Sequence, residues 1–450
     1  MLDLLPFAAI GAPLLAAITL AALALTARPV EAIAIPAAPR PAAAARAPER
    51  RATLIATLGA LLGLAGALAA LIADRPIPGP TWFTAGDLRV AFDLAPTRAT
   101  AAYAAVTHLL VAVTAAFSGR YLHREPGLPR FLALSSAFAA GVALVALAAH
   151  PILVFAGWEL AGTASVLLIG YHTERPGARH GALRALATNK LGDAAFIAGI
   201  GLWIAWGPSP TTAGLWCIAA AMKAGLVPAT PWVERAIEGP TPSSALFYGA
   251  AMTHAGLLLA ARAWPDLAGH PGWTALFVTL ALLTAAYGFT AGRAQPDVKS
   301  RLVLHGVAWI GLAFALLLLA GPVAGLALGA AHMVARYAAM LLAPAELQAR
   351  RLVPRPRRPV PVALHRAARD RYGLEDLHIR LIERPITALA RLVANADAHA
   401  AIAPDPPAFA PAAPEGPPDT GRLHALGGHV SRLIEALEHH VLGGKLLAAA

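Results

Sequence analysis

AGLWCIAAAMKAGLVPATPWVERAIEGPTPSSAL, residues 213–246, begins as an apolar helix and then refuses to remain one. Lys223 stands five residues before Pro228, Pro231 follows, and Gly239, Pro240 and Pro242 interrupt the chain again before apolarity resumes. Proline removes a backbone donor and crowds the preceding turn, so helical hydrogen bonding has to break here. Unwound backbone at membrane depth is tolerated only where protein or a water-filled cavity satisfies the freed groups, and transporters build ion sites at such breaks. A lysine beside one is therefore a candidate functional group, in a polar and wet neighbourhood.

Working outward, Glu159 in ILVFAGWELAGTASVLLIGY is the acidic counterpart. An ionised side chain at the centre of a spanning helix costs roughly 2.5–3.5 kcal/mol on insertion scales, so both residues need a use. An amine in apolar surroundings takes up or releases a proton as a nearby carboxylate gains or loses its own partner. On the helix between them, LATNKLGDAAF sets Lys190 and Asp193 three residues apart on one face. Two readings stand for that pair: an intrahelical ion pair, or a bridge between Glu159 and Lys223. For Glu159 the bland alternative is a buried acid satisfied by Ser165 or a neighbouring base. Three histidines also fall in apolar context, His254 in GAAMTHAGLLL, His305 in RLVLHGVAWIG and His332 in LGAAHMVARYAAM. Imidazole titrates near neutrality and can relay protons, although each alone is equally a packing residue. Arg336, near the end of the last span, is expected to snorkel to the surface.

The rest of the chain agrees with a membrane reading. Hydrophobic residues make up 58% of 450 positions and charged residues 14%, and the mean hydropathy is +0.60, which excludes an ordinary soluble domain. Apolar runs near 3–26, 53–73, 100–118, 130–149, 151–171, 183–206, 212–228, 241–263, 273–292, 301–320 and 322–344 predict an all-α polytopic bundle of about eleven spans with a broken seventh helix. The first run carries Asp3 instead of a basic leader, so it is expected to be retained as a span. Basic residues collect in every second connection: Arg28 to Arg51, then Arg120 to Arg130, Arg175 to Arg184, Arg293 to Arg301, and Arg350 to Arg358. The positive-inside rule then puts the N-terminus outside and the tail in the cytoplasm, and accounts for the net charge of +11 without nucleic acid. The single cysteine, Cys217, excludes an intrachain disulfide, and no cofactor or metal site is expected.

Three regions follow: N-terminal spans and loops over 1–99, a membrane domain over 100–344, and a Pro-rich cytoplasmic tail over 345–450 with two amphipathic helices. The first helix pattern runs from Leu377 to Val393 with a bend expected at Pro385, and the second from Leu423 to Val441. Both suit the membrane surface, the bundle or a partner protein.

WELAGTASVLLIGY (158–171), NKLGDAAF (189–196), MKAGLVPATPWVERAIEGPTPSSAL (222–246) followed by AGLLLAAR (255–262), and QPDVKSRL (295–302) together resemble the antiporter-like proton-conducting subunits of respiratory complex I, most closely subunit L (chain 5), and related cation/proton antiporters. The likeness covers roughly residues 80–345, and RYGLEDLHIRLIERPITALARL (371–392) extends it more weakly. It implies that Glu159, Lys190, Asp193 and Lys223 form the input half of a proton route, and places Asp297 and Lys299 at the cytoplasmic start of the next span. Where the family has a histidine soon after the PTP motif this chain has Tyr248, so His254 is the candidate replacement. His332 fits the family's eleventh-span histidine, but Arg336 and Met340 replace the polar residues after it. The family's later spans, with a second broken helix, have no counterpart after residue 344, so an output half is expected to be incomplete in this polypeptide.

The resemblance implies a non-catalytic proton-conducting subunit, in the bacterial inner membrane, of an NADH-quinone oxidoreductase or hydrogenase-like complex, with other subunits, including a large cytoplasmic protein, as partners. Two alternatives stand beside it: the membrane subunit of a proton-gradient-driven inorganic-carbon uptake complex, and a transport-dead anchor that holds a cytoplasmic protein by its tail.

Overall fold

The structure, a computed structural model, describes residues 2–26, 47–123, 125–352 and 362–401. The second amphipathic pattern, the link at 403–421 and the arginines at 28, 40, 46, 355, 357 and 358 lie outside the described residues. The first compact unit is Met1–Glu375 and the second is Asp376–Ala450. The first thus runs beyond the composition change at 345.

Within the first unit the helices are α1 (Ala8–Thr26), α2 (Ala47–Ala73), α3 (Arg98–Tyr121), α4 (Leu128–Leu147), α5 (Pro151–Ile169), α6 (Pro176–Trp206), α7 (Pro210–Ala224), the short α8 (Pro231–Arg235), α9 (Met252–Leu267), α10 (Pro271–Ala294), α11 (Val298–Ala320), α12 (Pro322–Leu352) and α13 (Val362–Arg369). Among the described residues eight helical stretches are long and apolar enough to cross a membrane. The other three predicted spans are α6, α7 and α9. The first is interrupted by Arg184, Lys190 and Asp193, and the other two are shortened to 15 and 16 residues by the break between them. The outer face is apolar as lipid requires, with Ile72 84% and Trp206 78% exposed.

Most chain neighbours pack side by side, and α12 returns to lie on α3. Helix α9 is the axis: it packs on α4, α5, α7, α11 and α12, and Met252 to Ala261 are buried on every side. Helices α4 and α5 cross at Gly141 and Gly157. A methyl group added at Gly141 would meet the Ala161 nitrogen and Gly157 oxygen at 2.7 Å, so only glycine allows this approach.

One element escaped the sequence reading. The charge-balanced connection after α2 folds into an antiparallel hairpin, β1 (Thr81–Ala85) and β2 (Leu88–Ala91), turned by Gly86 and Asp87, with Gly86 at φ +59. The first strand is exposed along its whole length, so its residues carry no buried-face alternation to read.

In the second unit the described residues form a widened π-turn, Ile379–Glu383, leading into a helix, Arg384–Ala401. Pro385 thus falls in the first turn of a helix, where its missing donor is harmless, and the irregularity precedes it.

Candidate functional site

Helix α7 stops because Gly225 takes a left-handed conformation, φ 72, and the chain then runs through α8, a 3-10 turn at Ala236–Glu238 and a π-turn at Ser244–Ala251 before α9. Side chains satisfy the freed backbone. The Thr230 hydroxyl donates to the Gly225 carbonyl at 2.8 Å, Trp232 Nε1 to the Met222 carbonyl at 2.9 Å, Ser243 to the Pro240 carbonyl at 2.8 Å, and the Val227 N–H donates to Thr284 at 2.9 Å. Stitched this way, the break survives at membrane depth. Lys223 lies in the last turn of α7, where the helix dipole favours a cation.

The break does not expose that lysine: Lys223 is 2% exposed, so the polar neighbourhood is protein-built, not the wet one expected. Its Nζ donates to the Trp158 carbonyl at 3.3 Å, lies 4.0 Å from the centre of the Trp158 ring, and fits against Gly162 of α5. Trp158 Nε1 in turn donates to Asp193 Oδ1 at 2.7 Å, and Asp193 Oδ2 pairs with Lys190 Nζ at 3.2 Å. The same Nζ reaches Glu159 Oε2 at 2.5 Å. All four predicted groups therefore join one line, and Lys190 is both members' choice: it makes the intrahelical pair and the bridge. Side-chain exposure falls along it, from 50% at Lys190 and 28% at Glu159 to 6% at Asp193. The Ser165 hydroxyl donates to the Gly162 carbonyl, and Glu159 is held by the neighbouring base Lys190. Glu159 and Lys223 are joined through Lys190, Asp193 and Trp158. Trp158 is the member that sequence reasoning missed, although it stands beside Glu159 in the WE pair.

The histidines divide. His254 Nε2 and His332 Nδ1 are 3.4 Å apart with their rings stacked at 5.4 Å, and Tyr103 flanks His254 at 6.1 Å. His305 stands away from them against Phe289, and its Nε2 has no hydrogen-bond partner among the described residues. Arg336 corrects an expectation: it does not snorkel but is 6% exposed, turned over Gly306 with Nε and Nη2 unpartnered among the described residues. No hydrogen bond among the described residues joins Lys223 to His254; the two are linked through packing of α9 on α7, where Gly256 lies against Ala220 and Ala224. Lys299 donates to Thr241 Oγ1 at 3.2 Å, which also accepts from Tyr121 at 3.1 Å, and Asp297 caps α11 by accepting from the Ser300 N–H at 2.8 Å. These two mark the base of the bundle, not the Glu159–Lys223 line.

A second ionic cluster holds the break to α6 at the basic face. Glu375 pairs with Arg235 at 2.5 Å, with Arg371 at 2.7 Å and with Arg184 at 3.1 Å, while Arg371 pairs with Glu234 at 2.7 Å and Tyr287 donates to Glu234 at 2.6 Å. Burial pushes the Glu375 carboxyl up, but the hydrogen bonds from Arg235 and Arg184 and the charges of Arg235 and Arg371 prevail and hold it at about 2. Arg371, which makes two of these contacts, and its neighbour Tyr372 take left-handed backbone, φ 56 and 53.

Residues 210–349, which carry Lys223, the break and the histidine pair, match the model of the NADH:quinone oxidoreductase/Mrp antiporter transmembrane family. Over that stretch the chain is similar to the antiporter-like family. It is 30% identical over 287 residues to the NADH-quinone oxidoreductase subunit L of Mycobacterium tuberculosis, an alignment that takes in 56% of this chain and 45% of the relative. The chain thus spans about half the length of that relative. The fold is similar to that of a chain in the Mrp complex from Dietzia sp. DQ12-45-1b, with a TM-score of 0.60 and 22% identity over 73% of this chain and 36% of that one. It is similar also to a chain of the membrane-bound sulfane sulfur reductase, an archaeal respiratory membrane complex, with a TM-score of 0.62 and 18% identity over 75% of this chain and 70% of that one.

Proposed function

We propose that this antiporter-like chain is a proton-translocating subunit of a multi-subunit membrane complex, with Glu159, Lys190, Asp193 and Lys223 as the groups that accept and pass the proton. One observation carries the reading: four ionisable groups, with Trp158 between Asp193 and Lys223, form a line from the surface of the bundle, where the Lys190 side chain is 50% exposed, to a buried lysine at a helix break. Lipid penalises such a line unless it works. Lys190 is shared by two carboxylates, so movement of its flexible stem transfers positive charge from Glu159 towards Asp193. Asp193 is anchored to Trp158, whose carbonyl and ring hold Lys223, so that transfer is felt by the Lys223 amine, which answers by taking or losing a proton. The stacked pair, His254 on α9, which packs on α7, and His332 on α12, which packs on α9, is the onward relay.

The names of the similar proteins support membership of a larger assembly, since they are subunits of a quinone oxidoreductase, an Mrp complex and a respiratory membrane complex. The alternating basic connections support a bacterial cell membrane with the N-terminus outside and the tail cytoplasmic, where a cytoplasmic partner would dock. The test is Lys223→Ala in the reconstituted complex. Gradient-dependent proton movement should vanish while the complex still assembles; undiminished movement would refute the reading and leave an anchor.

A further inference from the structure

On the face opposite the basic connections, where α4 passes into α5 and where α6 and α9 end, a cavity of about 220 Å³ enters the bundle. Val154, Phe196, Trp203, Trp216, Arg262 and Asp266 line it. Its mouth is charged and rigid: Arg262 donates to the carbonyls of Val145, Ala146 and Ala148 at 3.0, 3.2 and 2.6 Å, which fixes the guanidinium over the end of α4. Its depth follows from α6, because Trp203 and Phe196 are seven residues apart, about 10 Å at helical rise. Its inner wall is aromatic. Phe196 meets Trp216 edge to face at 5.8 Å, and on its other side meets Trp158 at 5.5 Å, the residue that holds both Asp193 and Lys223. Asp193 is only one further turn along α6. The Trp216 Nε1 edge is buried against Gly199 with no partner among the described residues, and a single water needs only roughly 10–15 Å³ of space with polar neighbours, which Arg262 and Asp266 supply at the mouth.

We propose that this cavity is a water-filled access path from the outer face to the Lys223 site, closed at its inner end by Phe196 and Trp216. The inference rests on the proposed proton function and deepens it: the chain carries its own route between the site and the outer face, with hydronium or a water wire as the occupant. Water enters past Arg262 and Asp266, reaches the Trp216 and Phe196 side chains, and stops one aromatic ring short of Trp158. Outward turning of the Phe196 ring would join it to Asp193.

Cysteine accessibility tests the wet half, using the assembled complex in sealed vesicles and a membrane-impermeant methanethiosulfonate added from the outer face. On a Cys217→Ser background, Ala149→Cys at the rim is the exposed reference, and native Cys217, fully buried, is the dry one. Val154→Cys, or Leu259→Cys if that variant fails to assemble, should react within about tenfold of the rim. Reaction no faster than that of Cys217 overturns the proposal. Proton leak in proteoliposomes tests the closure. Phe196→Ala, or Phe196→Leu if the first does not fold, should raise passive leak several-fold, and Lys223→Ala added to it should remove the rise. An unchanged leak overturns the gate. If labelling fails while Lys223→Ala alone still abolishes transport, the access path is wrong and the function stands. If Lys223→Ala alone leaves transport intact, the function itself falls.

Discussion

Replacing Glu375 by glutamine removes one negative charge from a group that pairs with three guanidiniums, and the structure sets the cost. The carboxyl is held at about 2 against an ordinary value of 4.5, chiefly by Arg235 and Arg184 once burial has been overcome. Each tenfold in proton affinity is worth about 1.4 kcal/mol, so the charge contributes about 3 kcal/mol, in keeping with a side chain only 23% exposed. Glu375→Gln should therefore loosen the docking of the 371–375 segment against α6 and α8 by a factor on the order of 10². The assay is backbone hydrogen exchange on the full chain in nanodiscs at pH 7, read at amides 362–375 and 231–238. Because the folded-state value is depressed, the contribution is present in full above 4.5 and is lost as pH falls towards about 2, so wild-type protection of the same amides should decline in that window. Exchange unchanged within twofold in Glu375→Gln would show that the cluster is solvated decoration and refute the reasoning.

Trp158→Phe keeps a ring beneath Lys223 but removes the donor to Asp193; a hydrogen bond to a charged group is worth about 1.5–3 kcal/mol, so proton flux in proteoliposomes should fall about 10- to 100-fold with assembly intact on native gels. His254→Ala and His332→Ala should be non-additive in flux, with a coupling of at least about 0.5 kcal/mol, whereas His254→Ala and His305→Ala should add. Gly157→Leu forces side-chain atoms into the Gly141 oxygen across the α4–α5 crossing and should cost about 1–3 kcal/mol in thermal unfolding in detergent, while Gly11→Ala, with open space around it, should be neutral.

The sequence makes the Glu159, Lys190, Asp193 and Lys223 set legible because charge in an apolar run is costly and therefore conspicuous. The prolines and glycines announce the helix break in the same way. Trp158 was silent, since an aromatic ring in a spanning helix is unremarkable until its N–H and carbonyl are seen to face two different partners. Arg336 misled because distance from a helix end says nothing about which way a long side chain turns, and Gly306 opens a space inside the bundle. The Glu375 cluster was hidden for a different reason: its members come from residues 184, 234, 235, 371 and 375, and only tertiary folding makes them neighbours.

In the proposed function, the glycine crossing between α4 and α5 sets a fixed side against a moving one. Backbone is seated directly on backbone at Gly141 and Gly157, so Glu159 and Trp158 stand on a helix joined closely to α4. In that function the groups that travel are side chains that reach across to them, Lys190 from α6 and Lys223 from the end of α7, with the Phe196 ring turning beside Trp158.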